Sequence, residues 1–330
     1  MTCRRFLVMI LTVSGAAVST SRLLAVPPYS PWSPAVNLGS PINSPFTETG
    51  VTLSKNGLSL YFSSNRPCDQ TDAVADFNLW VVHRNSREMP WGEPECLRIN
   101  ADARIPGDSP YQDREPGLSR DQHWLYFASD RPGSLGPPVP TGGDIWVSWR
   151  PNIFDDQGWT DAVNVSGLNT ESREGTPHYF ENDESGLPQL FFSSTRNGIF
   201  DIWVADLVNG FTGGLARRVN EVDTDDLLEA GGSITHDGLE MFLFRGRAQI
   251  GIPFDIYSAT RPDVGAPWSA PVNLGAAVNH ATVNDQEPEI SPDRTTLFFA
   301  SNRPGSMPSP TGAPSIDIWA SARTWGGESK

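Results

Sequence analysis

The chain has 330 residues, 24 of them Lys or Arg and 39 Asp or Glu, for a formal net charge of −15. A surface this acidic repels phosphate backbones, which excludes general DNA or RNA binding. Despite 30 glycines and 29 prolines, 11 Trp and 16 Phe exclude a disordered chain, and the composition reads as loop-rich all-β.

Residues 1–25 have the layout of a secretory signal: Arg4 and Arg5, then the apolar run 6–18, then small and polar residues. That run is short for a membrane span of ~20 residues. Cleavage is expected between Ala17 and Ala25. It removes three arginines and no acid, leaving a mature charge of −18. The expected location is secreted or periplasmic, with no membrane insertion after cleavage. Residues 26–330 are read as one domain.

That domain is repetitive. The phrases NLW at 78, DIW at 144 and 201, DIY at 255 and DIW at 317 recur at spacings of 66, 57, 54 and 62. Ahead of each lies an apolar run ending in Arg: LYFSSNR (60–66), LYFASDR (125–131), LFFSSTR (190–196), MFLFRGR (241–247) and LFFASNR (297–303). Ahead of those runs an acid opens a further strand at Glu48, Glu115, Glu174, Glu229 and Glu287. A fourth segment follows at Trp91, Trp159, Phe211 and Trp268. Short apolar runs separated by Asn-Gly and Asp-Gly turns predict antiparallel strands, called a, b, c and d in each unit. Strand b is apolar on consecutive residues, so both of its faces should be covered, as between blades of a propeller.

An unpaired d-type segment, WSPAVNLGSPIN, begins at Trp32, while the last unit ends without its own. The N-terminal strand should therefore complete the last blade and hide the seam. The expected fold is all-β: a five-bladed β-propeller of four-stranded antiparallel blades. The pattern S-x-D-G-x-x-L-x-F-x-S-x-R-P-G…D-I-W resembles the WD40-like PD40 repeat of TolB-type propellers across nearly the whole mature chain. The resemblance implies extracytoplasmic binding of protein or ligand. The TolB N-terminal α/β domain, an OmpA-like domain and a hydrolase domain are not apparent in the sequence.

Residues equidistant from a hairpin turn face each other. Counting from each turn pairs Glu48 with Arg66, Glu115 with Arg131, Glu174 with Arg196, Glu229 with Arg247 and Glu287 with Arg303. Strand c opens with Asp144, Asp201, Asp255 or Asp317, and with Asn78 in the first unit. Each blade is thus expected to hold a Glu–Arg–Asp cluster at one rim, with Arg bridging two acids. A residue needed in every blade points to an ion-pair lock rather than a ligand site. Function belongs instead where the units differ, in the b–c loops and the acidic d–a loops containing Asp102, Asp108, Asp113, Asp223, Asp225 and Asp226.

No cofactor is expected. Acidic loops could supply oxygen ligands to Ca²⁺, but no EF-hand-type loop occurs, and the five scattered histidines do not suggest zinc. Cys68 and Cys96 fall at the same rim, but strand c should separate them, and both bridged and free states stay open. G-x-S-x-G, Walker A and G-x-G-x-x-G motifs are absent. The main reading is a monomeric, non-catalytic binding or scaffold propeller for an envelope or extracellular protein, peptide or glycan. The alternative is a carbohydrate-active enzyme with carboxylates in the central funnel, for which Asp113, Asp285 and Glu171 are the candidates.

Overall fold

A computed structural model of the chain describes residues 29–68, 76–99, 111–136, 143–181, 187–212, 214–224, 226–247 and 250–326. The signal segment and Asp102, Asp108 and Asp225 lie outside the described residues. A short strand, β1 (Val36–Asn37), precedes the repeats. Blade one comprises β2 (Glu48–Leu53), β3 (Ser59–Ser64), β4 (Asn78–His83) and β5 (Glu95–Cys96). Blade two comprises β6 (Asp113–Leu118), β7 (Trp124–Ser129), β8 (Asp144–Trp149) and β9 (Val163–Asn164). Blade three is β10 (Glu174–Glu181), β11 (Pro188–Ser194), β12 (Asp201–Val208), β13 (Phe211–Thr212) and β14 (Arg217–Arg218). Blade four is β15 (Leu228–Ile234), β16 (Glu240–Arg247), β17 (Ile252–Thr260) and β18 (Val272–Asn273). Blade five is β19 (Asp285–Ile290), β20 (Thr296–Ser301) and β21 (Asp317–Ala322).

The innermost strands β2, β6, β10, β15 and β19 touch in cyclic order, and this makes the ring. Ring closure is as expected: β1 pairs with β21, with Val36 opposite Ala320 and Asn37 opposite Trp319. The molecule is a five-bladed β-propeller of antiparallel sheets. Strand d is only two residues long in each blade. In blade three the expected d segment divides, β13 extending the β12 hairpin and β14 taking the d register on Trp203 and Val204.

The apolar b strands are buried on both faces because each seam between blades holds its own core. Phe127 and Trp146 pack with Tyr61 and Leu79 between blades one and two. Phe242 and Ile256 pack with Phe299 and Trp319 between blades four and five. Burying one Leu- or Phe-sized side chain contributes about 1.5–3 kcal/mol, so these five cores carry most of the stability. Among the described residues no helix is long and apolar enough to cross a membrane.

Candidate functional site

The rim arginines do form a lock, but with a different acid in two blades. Arg66 donates to Glu48 at 2.9 Å and Arg196 to Glu174 at 3.0 Å, as the sequence predicts. In blades two and five the partners are Asp113, 2.7 Å from Arg131, and Asp285, paired with Arg303. Glu115 and Glu287 are not in the lock. In blade four Arg245, not Arg247, meets Glu229 at 2.7 Å, because Arg245 itself stands opposite Glu229 in the ladder. Arg247 is exposed and donates to the Asp226 carbonyl.

Each lock arginine has a second task. Its Nη2 donates to a carbonyl of the preceding d–a turn: Ile42, Ile99 (3.3 Å), Leu168 (3.0 Å), Val222 (2.9 Å) or Val278 (2.5 Å). In four blades the guanidinium also lies over two aromatic rings, such as Phe127 at 4.8 Å and Trp146 at 5.4 Å for Arg131. Burial raises the carboxyls of Glu48 and Glu174 against the opposing pull of the arginine, and raises Glu229 to about 7.

The aspartates that open strand c do not bridge to these arginines. Asp144 accepts from the Leu135 and Gly136 amides and from Asn164, and Asp317 from the Met307 amide, Ser315 and Asn37. Asp255 accepts from Asn273. In blade one Asn78 replaces the aspartate. There Cys96 occupies the register position of Asn164, opposite Trp80, and Cys68 the Gly133 position after Arg-Pro. Where Asn164 donates to the Gly133 carbonyl at 3.3 Å, blade one has the Cys68–Cys96 disulfide, with 5.5 Å between Cα atoms.

The asymmetry lies on the axis, two residues after each lock acid. Those positions are Gly50, Glu115, Thr176, Gly231 and Glu287, and all five have positive φ, from 44° at Thr176 to 90° at Gly231. A register shift in the inner hairpin spans each one except Gly231, which it directly follows, at Gly232. Such a bulge turns the backbone inward and aims one residue per blade at the axis. Glycine takes this conformation without penalty, whereas Thr and Glu are held there at a cost of order 1–3 kcal/mol.

The axial amides must find acceptors across the blade seams. The Glu115 N–H donates to Ser63 Oγ at 2.7 Å and the Gly231 N–H to Ser193 Oγ at 3.1 Å. The Thr176 N–H donates to Glu115 Oε2 at 2.5 Å and the Gly50 N–H to Glu287 Oε2 at 2.7 Å. The two modes alternate with sequence. The b-strand position of Ser63 and Ser193 is Ala128 in blade two and Ala300 in blade five, the blades that carry axial glutamates. Pairing of alanine with Glu-Pro was the signal in the sequence; alignment on glutamate identity obscured it.

Two residues further along each inner strand lies a second tier: Thr52, Gly117, His178, Ser233 and Glu289. Glu289 accepts from Ser233 at 2.9 Å and Thr52 at 3.3 Å, and its Oε2 lies 3.3 Å from His178 Nδ1. One side chain of blade five thus meets blades one, three and four. The five axial residues, with His178, Ser233 and Glu289 of the second tier, line a small cavity of about 30 Å³ with Pro116, Pro177 and Pro288 in its wall. His178 and Glu289 also line a second cavity, of about 100 Å³, reaching Lys55, Arg120 and His236 at the a–b turns.

Burial raises Glu115 to about 7, and the nearby Glu287 carboxylate adds to the shift. Burial also raises Glu287, against hydrogen bonds from Thr49 and the Gly50 amide and the charge of Arg114. Glu289 is pushed up to about 8 and His178 down to about 4, both by loss of water, so their contact is a neutral one near pH 7. The three carboxylates named from sequence are elsewhere. Asp113 and Asp285 are in the lock, and Glu171 is exposed in the turn before β10 and does not line the cavity.

No family model matches the chain, and no curated protein sequence matches it. Among solved structures, an α-L-arabinofuranosidase from Lactobacillus brevis overlays with a TM-score of 0.57 at 14% identity, covering 87% of this chain and 93% of that one. The α-L-arabinofuranosidase of Podospora anserina, solved in complex with cellotriose, overlays at 0.54 and 13% identity, covering 91% and 98%. A putative TolB from Agrobacterium tumefaciens overlays at only 0.44 and 12% identity, covering 86% and 92%, which is too loose to support the PD40 resemblance. At these identities the likeness establishes the shared fold.

Proposed function

We propose that the chain is an extracytoplasmic carbohydrate-active propeller that hydrolyses glycosidic bonds at its axis, with Glu115 and Glu287 as the reacting carboxyls. The supporting observation is the asymmetric pair itself: two glutamates on the innermost strands, each with a raised pKa, beside a small axial cavity of about 30 Å³. Neighbouring buried carboxyls cannot both ionise easily, so one keeps its proton near neutrality. That proton can pass to the leaving glycosidic oxygen while the ionised partner activates water or stabilises the sugar cation. Arg114, electrostatically coupled to both acids, favours keeping the second one ionised. The arabinofuranosidases that share the fold suggest arabinofuranosides and xylan-type oligosaccharides as first substrates.

A second reading, a ring that binds without catalysis, has its own observation. Both carboxylates already accept an axial amide, as Ser63 and Ser193 do in other blades. Assaying the purified protein on aryl arabinofuranosides, arabinan and xylo-oligosaccharides separates the two. Hydrolysis predicts turnover that falls about 10²–10⁴-fold in E115Q with the fold retained. Absence of turnover across the panel, or full activity in E115Q, overturns the catalytic reading and leaves the structural one.

A further inference from the structure

The rim at the seam of blades three and four differs from the rims of blades two and five. The aspartates opening strand c in blades two and five accept amide and side-chain hydrogen bonds on both oxygens. Asp201, their counterpart in blade three, is fully buried, and neither of its oxygens accepts a hydrogen bond. The b–c loop of blade three is only 197–200, too short to wrap around the carboxylate, and Arg218 replaces the usual asparagine. Arg218 Nη2 stands 3.0 Å from Asp201 Oδ1 and also pairs with Asp223.

From blade four comes the lock acid Glu229, also fully buried. Its Oε1 accepts from Thr224 at 2.6 Å and lies 2.7 Å from Arg245, while Oε2 has no hydrogen-bond partner. Asp223 Oδ1 has none either. Three carboxylates from two blades therefore converge with orphaned oxygens, and one oxygen from each lies within 4.8 Å of the other two. Ligands of one Ca²⁺, bonded at about 2.4 Å, can stand at most about 4.8 Å apart.

We propose that a single calcium-type divalent cation binds at the seam of blades three and four, held by Asp201, Asp223 and Glu229. Three carboxylates face two guanidiniums, Arg218 and Arg245, so the cluster has one negative charge in excess when all are ionised. The two arginines weaken the site, which places its affinity near that of extracellular calcium modules, about 10⁻⁴–10⁻³ M. Bound cation would tie β12 to β15 at the loop rim, through residues that do not line the axial cavity. The proposal therefore stands or falls separately from glycoside hydrolysis.

The test is a Ca²⁺ titration of the intact protein, read by thermal unfolding and by Tb³⁺ luminescence sensitised through Trp203, which pairs with Arg218. At about ten times Kd, Ca²⁺ should raise Tm by about 2–4 °C, with a smaller shift for equal Mg²⁺. D223N should abolish both signals, and the exposed-site variant D263N should keep them. If D201N fails to fold, D223N still decides. No shift up to 10 mM Ca²⁺ (about ten times the weakest expected Kd), or an undiminished shift in D223N, overturns the site.

Discussion

Removing one lock arginine tests whether these ion pairs hold the ring or merely decorate it. Arg131 is 9% exposed, and its Nη2 donates to Asp113 at 2.7 Å and to the Ile99 carbonyl at 3.3 Å, while Nε donates to Ser129 at 3.0 Å. Arg131→Met keeps the apolar stem between Phe127 and Trp146 but strands Asp113, which is fully buried. Leaving one partner of a buried pair costs about 3–5 kcal/mol. A domain of this size loses about 2–3 °C per kcal/mol, so Tm should fall by roughly 6–15 °C. Replacing both partners should recover much of that loss, since a neutral isosteric pair is often nearly as stable as the ions. D113N/R131M is therefore expected to unfold at higher denaturant than R131M alone, in urea melts followed by tryptophan fluorescence. A single variant costing under about 1 kcal/mol, or a double variant as weak as the sum of its parts, would falsify the lock as described.

The disulfide should act mainly on the unfolded chain. Closing a loop with a sequence separation of 28 stabilises by about 3–4 kcal/mol in the chain-entropy treatment, so reduction should lower Tm measurably. An unchanged melt in reductant would remove that role. Stability should also depend on pH through the axial acids. Glu115 and Glu289 have folded pKa values raised to about 7 and about 8, so the folded state holds extra protons above pH ~4.5. Their contribution is complete below the unfolded pKa and is lost as pH rises to 8. His178, lowered to about 4, works in the opposite sense but only between pH 4 and about 6.5. Stability should therefore fall between pH 6.5 and 8, at up to about 1.4 kcal/mol per pH unit for Glu289, and E289Q should flatten that limb. A flat profile in the wild type would count against the buried second tier.

The hairpins, their turns and the count of blades were readable because each unit repeats the same apolar b strand and the same Asp-Ile-Trp opening of strand c. Displacement of a d strand to the N-terminus showed how the ring closes, and β1 pairs with β21 accordingly. The charged positions were less readable. Glu115 and Glu287 look like Glu48 and Glu174 in composition and lie two residues away in register. The axial bulge consumes residues that an ideal ladder count assigns to the pairing, and an arginine side chain reaches back across two positions. Asp113 and Asp285, singled out as catalytic candidates because they are blade-specific acids just before the repeated Glu, are the lock acids.

Sequence alone determined the repeat, the all-β class and the ring size, since these depend on local periodicity and on the need to cover every strand edge. Tertiary structure alone decided which acids are neutralised and which face the axis. That choice depends on positive-φ positions and on amide acceptors supplied by the neighbouring blade, 50 or more residues away in the chain. The acidic excess that first excluded nucleic acid thus divides by position: some carboxylates are spent on arginines, two cap axial amides, and three meet at one seam between blades.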